Sequence, residues 1–250
     1  MGAAKGSPGV TTAAVALAAV WPRSAIVAEC DPSGGDLALR LSAAGTQPLA
    51  QDRGMLSLAT AVRANAGDTA LSDHVQTAAG GLEVLVGAST PAQASALEPL
   101  WPVLGAHMAA TEDRDVLADC GRLTPPTQAL QLDRGARLFV LVVRGTTTGM
   151  AHLRPLLVDL AERSITANVV VLPVMAPRGA GPAEVDDVVR QVSGRLQPVV
   201  VGPLALDPVG AAGLSGEWTR RLDRTPLVES ARRVAHELDA LLAAQLTAAG

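Results

Sequence analysis

Short β-branched, apolar runs alternate with longer helical patterns along all 250 residues, and this alternation limits the fold more than any other feature. The runs Ala25–Cys30, Leu82–Val86, Asp115–Asp119, Leu138–Val143, Val169–Leu172 and Val199–Val201 are nearly continuous hydrophobics. That is the pattern of strands covered on both faces of a parallel sheet. Between them the spacing predicts helices over Thr11–Val20, Gly35–Ala43, Met55–Ala64, Pro91–Ala109, Thr148–Arg163 and Ala183–Arg195. A last helix, about Pro226 to Leu246, carries Leu227, Ala231, Val234, Leu238 and Leu241 on one stripe, so one face packs on the body of the protein. The expected fold is α/β: one domain with a doubly wound, mainly parallel sheet and helices on both faces.

Composition narrows the function. Hydrophobic residues make up 48% and charged residues 18%, enough to build a core and too apolar for a disordered chain. The longest unbroken apolar stretch, Ala13–Trp21, falls short of the roughly 20 residues that cross a bilayer. No signal-peptide pattern opens the chain, so the expectation is a soluble cytoplasmic protein. A net charge of −4 argues against a generally basic nucleic-acid binder, and 2% aromatics leave no stacking platform for single strands. Two cysteines, Cys30 and Cys120, make neither a disulfide framework nor a zinc site. The histidines His74, His107, His152 and His236 show no ligand spacing.

The residues that carry chemistry stand near the start. Residues 4–12 read Ala-Lys-Gly-Ser-Pro-Gly-Val-Thr-Thr and lead into the apolar helix. A glycine-rich turn before a helix directs several backbone N–H groups and the positive end of the helix dipole at one point, which suits a phosphate. Thr11 and Thr12 fall where a P-loop places its Mg²⁺ ligand. A plain turn with a threonine cap uses the same residues, but the chain's single lysine, Lys5, lies in this segment and favours a specific use. An ammonium is a compact point charge that fits a tight loop better than a guanidinium. Asp31 and Asp119 both follow apolar strands at their C-terminal ends, where open α/β sheets bind ligands; helix capping is the alternative use of such a carboxylate.

Lys5-Gly6-Ser7-Pro8-Gly9-Val10-Thr11-Thr12 resembles the deviant Walker A motif of ParA/MinD-type ATPases, whose pattern is K-G-G-x-G-K-[ST]-[ST]. Further likenesses follow in the family's order. Glu29-Cys30-Asp31-Pro32-Ser33 resembles its D-x-D-P-Q segment, and Asp115 to Gly121 its Walker B strand and second switch. Gly202-Pro203-Leu204-Ala205-Leu206-Asp207-Pro208, followed by Ala211 and Gly213, is similar to its adenine-side loop. The resemblance implies ATP and Mg²⁺ as cofactors and a homodimer that sandwiches the nucleotide. It implies that Lys5 reaches the partner's phosphates and that Asp31 orients the attacking water. Gly6, Ser7, Gly9, Val10, Thr11 and Thr12 would line the phosphates, with Thr11 and Asp119 serving magnesium. Gly121 would sense the γ-phosphate and Pro203 would cover the adenine.

The sequence also departs from that pattern. Val10 stands where the ordinary Walker lysine belongs and can neither donate a hydrogen bond nor balance charge. Pro8 removes one N–H from the loop, Ala4 replaces the leading glycine and Glu29 replaces the first aspartate. Weak or absent ATP hydrolysis is therefore expected, with Arg122 as a substitute cation. Only Met1, Gly2 and Ala3 precede Ala4, so the first strand is expected to be missing, leaving a gap with unpaired backbone on both neighbours and pointing to a chain that starts further upstream.

The expected function is nucleotide-dependent positioning or partitioning, with a protein cargo or activator as partner. The alternative is a nucleotide-independent scaffold, a pseudo-ATPase. Arg220, Arg221, Arg224, Arg232 and Arg233 cluster against Asp223 and Glu229, a surface for nonspecific DNA or simply a solvated face. After Arg233 the chain has no Lys or Arg, which disfavours direct membrane insertion through a basic tail.

Overall fold

The structure is a computed structural model that describes residues 1–5, 8–43, 47–64, 69–123, 132, 135–163, 165, 167–176, 182–192, 196–217 and 221–248. Strand β1 (Ala25–Glu29) lies between β3 (Glu83–Leu85) and β4 (Asp115–Asp119) and runs parallel to both, while β2 (Gln76–Thr77) adds antiparallel to β3. Strand β5 (Leu138–Arg144) runs parallel to β6 (Asn168–Met175), which is joined on its far side by β7 (Val199–Val200) and β8 (Leu204–Ala205), also parallel.

Met1–Ala3 join these two sets. Gly2 N–H donates to Val140 O (2.9 Å) and Val142 N–H to Gly2 O (2.8 Å). On the other side the Met1 ammonium donates to Ala118 O (2.6 Å), and Cys120 N–H to Met1 O (2.9 Å). Three residues thus occupy the position of the expected missing strand. The predicted gap is closed at this level, because one parallel bridge on each side satisfies the facing backbone.

Each strand sends alternate side chains to opposite layers. Val27, Val84, Val140 and Val142 pack on the face covered by α1 (Val10–Ala18), α2 (Leu37–Arg40), α8 (Pro208–Leu214) and α9 (Pro226–Ala248). Ile26, Leu85, Leu141 and Val143 pack on the face covered by α3 (Met55–Ala64), α4 (Pro91–Leu97), α5 (Trp101–Ala109), α6 (Thr147–Glu162) and α7 (Pro182–Val192). Leu227, Ala231, Val234 and Leu238 are all buried, as their stripe requires.

Two helices differ from the sequence expectation. Gly35–Ala43 shrinks to the single turn of α2, because Leu41 turns extended and Ser42 and Ala43 form antiparallel bridges to Pro48 and Ala78. Pro91–Ala109 is interrupted by a 3₁₀ turn, Glu98–Leu100, where Pro99 and Pro102 deny the helix two N–H donors. The predicted end of Ala183–Arg195, residues 193–195, lies outside the described residues. Among the described residues no helix is long and apolar enough to cross a membrane.

Candidate functional site

The start of α1 is shaped by Gly9, which takes a left-handed conformation (φ 96°) and turns the chain into the helix. The first helical bond is Ala13 N–H to Gly9 O at 2.8 Å. The N–H groups of Val10, Thr11 and Thr12 therefore have no partner within the helix, and among the described residues no side chain caps them. Thr11 and Thr12 are half-buried and Lys5 is exposed; Gly6 and Ser7 lie outside the described residues. Val10 is 6% exposed and belongs to the core beneath α1 with Ala13, Leu17, Val174 and Leu204. Val10, which the motif resemblance sets at the Walker lysine position, is a core residue.

Ala3 N–H donates to Gly121 O (3.0 Å), so the loop leaves the sheet directly beside the end of β4. There the structure brings together three of the predicted residues. Asp119, 1% exposed, accepts Gly121 N–H at 3.0 Å. Asp31, past the end of β1, accepts Ser33 N–H at 2.7 Å and lays its other oxygen against Gly121. A Cβ on Gly121 would come within 1.8 Å of that oxygen, and the residue also has φ +55°, so only glycine suits this contact. Burial, with the nearby Asp119 charge adding to it, pushes the Asp31 carboxyl above the usual range. Two acids thus converge on Gly121, in the loop that pairs with Ala3 ahead of the start of α1.

Glu29 works one step further in. It is 3% exposed, and three backbone N–H groups donate to it: Asp36 at 2.8 Å and Leu37 at 3.0 Å to Oε1, and Gly87 at 3.0 Å to Oε2. Gly35 and Gly87 leave the room, since a Cβ at Gly35 would fall 1.8 Å from its carboxyl carbon. Glu29 therefore fixes the loop that carries Asp31 without itself facing the site. In the motif Glu29 is only a departure from the first aspartate; the Gly34-Gly35 pair is the sequence sign of its role.

Across α1, Pro203 precedes β8, whose Leu204 and Ala205 pair with Val174 and Met175 at the C-terminal end of β6. Leu206 N–H continues this to Met175 O (2.7 Å), bringing residues 206–207 to the same edge of the sheet. Asp207, which sequence reading did not single out, caps α8 through the N–H groups of Val209 and Gly210. Its Asp-Pro start was the legible sign. Arg122, exposed beside Gly121, is paired through its backbone with Ala3. In the basic cluster Arg224 pairs with Asp223, Arg232 donates to Asp223 O, and Arg220 lies outside the described residues.

The uncapped N–H groups of α1 fit phosphate oxygens, and Thr11 with the carboxylates offers the hard oxygen donors that Mg²⁺ takes. Among the described residues no three His, Cys, Asp or Glu converge as a metal set.

No protein-family profile matches the chain, and no curated protein matches it by sequence. Solved structures do. A ParA family ATPase from Chlorobium tepidum superposes with a TM-score of 0.72 at 16% identity, covering 95% of this chain and 97% of the other. The Cyanothece McdA(D38A)–ATP complex gives 0.67 at 15% identity, covering 96% and 94%. A chain of the MinC:MinD cell division protein complex of Aquifex aeolicus gives 0.63 at 12%, covering 95% and 93%.

Proposed function

Starting from a chain that has the fold of ParA/MinD-like P-loop ATPases, we propose that it is a nucleotide-dependent positioning or partitioning protein that binds Mg·ATP and hydrolyses it slowly or not at all. The observation that carries this reading is the uncapped start of α1 beside the Asp31–Gly121–Asp119 contact, with a buried valine where the cation belongs. The neighbours include an ATP complex and a complex with a second protein, which supports a nucleotide and a protein cargo or activator here.

When bound, Mg·ATP supplies an activated phosphoryl group. Gly6, Ser7, Gly9 and the N–H groups of Val10, Thr11 and Thr12 hold its phosphates, and Thr11 and Asp119 serve the metal. Asp31 orients water, Gly121 reports the γ-phosphate and Pro203 lies towards the base. Lys5 crosses to the other subunit of a homodimer. Removing one preorganised donor of transition-state charge typically costs about 10²–10³-fold in rate. Without a lysine at position 10 the rate stays low, and Arg122, next to Gly121 in the chain, is the cation we assign to compensate in part.

The test is a calorimetric titration of Mg·ATP into the protein, with Lys5→Ala and Thr11→Ala alongside and phosphate release followed in parallel. Micromolar binding that weakens about tenfold or more in the variants, with negligible turnover, is expected. No heat up to millimolar ATP overturns the nucleotide reading and leaves the scaffold, which the core burial of Val10 favours. Turnover typical of an intact ATPase, abolished by Asp31→Ala, overturns the slow-hydrolysis part.

A further inference from the structure

The segment Gly202–Asp207, which includes Pro203, is held from two sides. Val201 N–H donates to Val171 O (3.1 Å) and Leu206 N–H to Met175 O (2.7 Å), which fastens both its ends to β6. The N–H groups of Gly202 and Ala205 turn the other way, where the next strand of a sheet would stand, and α9 supplies the acceptors instead. Glu237 Oε2 accepts Gly202 N–H at 2.9 Å, and Ser230 Oγ accepts Ala205 N–H at 2.9 Å. Ser230 is 2% exposed and sends its own proton to Leu227 O (2.9 Å), so its lone pairs are left for Ala205. At the start of the helix Leu227 N–H donates to Asp207 Oδ2 at 3.3 Å. Residue numbers rise along α9 as they fall along the segment, so the two run antiparallel. Their spacings match. Ser230 and Glu237 are seven residues apart, which sets them on one helix face about 10.5 Å from each other. Gly202 and Ala205 span up to about 10 Å of extended chain. Between the two contacts Val234 packs on Gly202, where a Cβ would stand 3.3 Å from Val234 Cγ2 and the backbone has φ +92°.

We propose that Ser230 and Glu237 are positioning residues for nucleotide recognition, which hold residues 202–207 in the shape that receives the base. This rests on the nucleotide reading above and concerns only its base half. Each residue acts through a backbone amide of the segment rather than through a contact of its own with the ligand. A segment fixed before binding loses little conformational entropy when the ligand arrives, whereas a loose one must be ordered at that moment, which lowers affinity. The phosphate half rests on other residues, at the start of α1 and the ends of β1 and β4. Affinities for a ligand with a base and for one without therefore separate this role from a general loss of stability.

The experiment titrates Mg·ATP and Mg·tripolyphosphate into the parent, Ser230→Ala, Glu237→Ala and Glu237→Gln, and reads amide exchange of Gly202 and Ala205 by NMR. Glu237 is exposed, so its variants keep the fold even where the buried Ser230→Ala does not. Glu237→Ala is expected to speed exchange of Gly202 and to weaken Mg·ATP about three- to tenfold, with Mg·tripolyphosphate unchanged. Ser230→Ala is expected to do the same through Ala205. Glu237→Gln keeps the parent's Mg·ATP affinity, because its amide oxygen accepts the same N–H. Equal weakening of both ligands, unchanged exchange, or unchanged Mg·ATP affinity beside faster exchange overturns the positioning role and leaves the nucleotide reading standing. If the parent binds Mg·ATP alone, a loss of affinity in Glu237→Gln equal to that in Glu237→Ala overturns the role. A parent that binds neither ligand overturns the nucleotide reading, and the positioning role falls with it.

Discussion

Glu29 shows what one residue contributes. Burial pushes its carboxyl above the ordinary range, while hydrogen bonds from Leu37, Gly87 and Asp36 work in the opposite direction and hold the anion. In Glu29→Gln the amide nitrogen faces a backbone N–H and cannot accept from it, so a loss of about 1–3 kcal/mol is expected in the urea unfolding free energy. Gly35→Ala puts a methyl where the Glu29 carboxyl stands and should destabilise at least as much. Asp31 shows the same balance with fewer donors, because burial outweighs the hydrogen bonding from Ser33 and raises its carboxyl. The folded state then binds a proton more tightly than the unfolded chain, so the Asp31 contribution to stability falls as pH rises from the ordinary carboxylate range through the raised value. Asp31→Asn keeps the acceptor for Ser33 N–H and removes the titration. Unfolding midpoints measured across about pH 4 to 7 should decline less steeply in that variant, and an identical slope would refute the assignment.

At the scale of elements, Asp207 links two helices. Its Oδ1 accepts the first free N–H groups of α8, and its Oδ2 accepts Leu227 N–H at the start of α9. Asp207→Ala should cost about 1–2 kcal/mol or more and raise exchange of the Val209, Gly210 and Leu227 amides together, because one carboxylate caps both ends. The Asp-Pro pair before a short apolar helix was legible in the sequence, and so were the parallel strands, whose runs are hydrophobic for a period-independent reason: both faces are covered. The short elements were not legible. The β2 and β8 strands have two residues each, and Met1–Ala3 pair with no β-propensity of their own, held by neighbours distant in sequence. Residues 35–43 look helical because Leu37, Ala38 and Leu41 share a spacing, yet Ser42 and Ala43 find strand partners instead. At the site, Asp31, Asp119 and Gly121 were legible from strand ends and motif order. The packing of Asp31 over Gly121 was not, since it depends on a positive φ that only the fold imposes.

For the whole molecule the question is whether the start of α1 serves a nucleotide or the core, and Val10 joins the two. Its side chain packs with Val174 and Leu204, so it ties α1 to the β6–β8 half of the sheet. Its N–H is meanwhile one of the free donors at the helix start. Val10→Ala should therefore destabilise the protein by roughly 1–3 kcal/mol and leave Mg·ATP affinity unchanged, since the donor is retained. Val10→Lys removes the same packing but offers a cation on a long stem that can reach the loop's open side. If the loop still presents phosphates to position 10, this variant should bind Mg·ATP about tenfold or more tightly than the parent, despite a lower unfolding midpoint, and should gain turnover that Asp31→Ala removes. Equal affinity in Val10→Lys and Val10→Ala would mean that the helix start has been given over to the core. The glycine-rich loop would then be a structural joint, and the working surfaces of the protein would lie elsewhere than at this edge of the sheet.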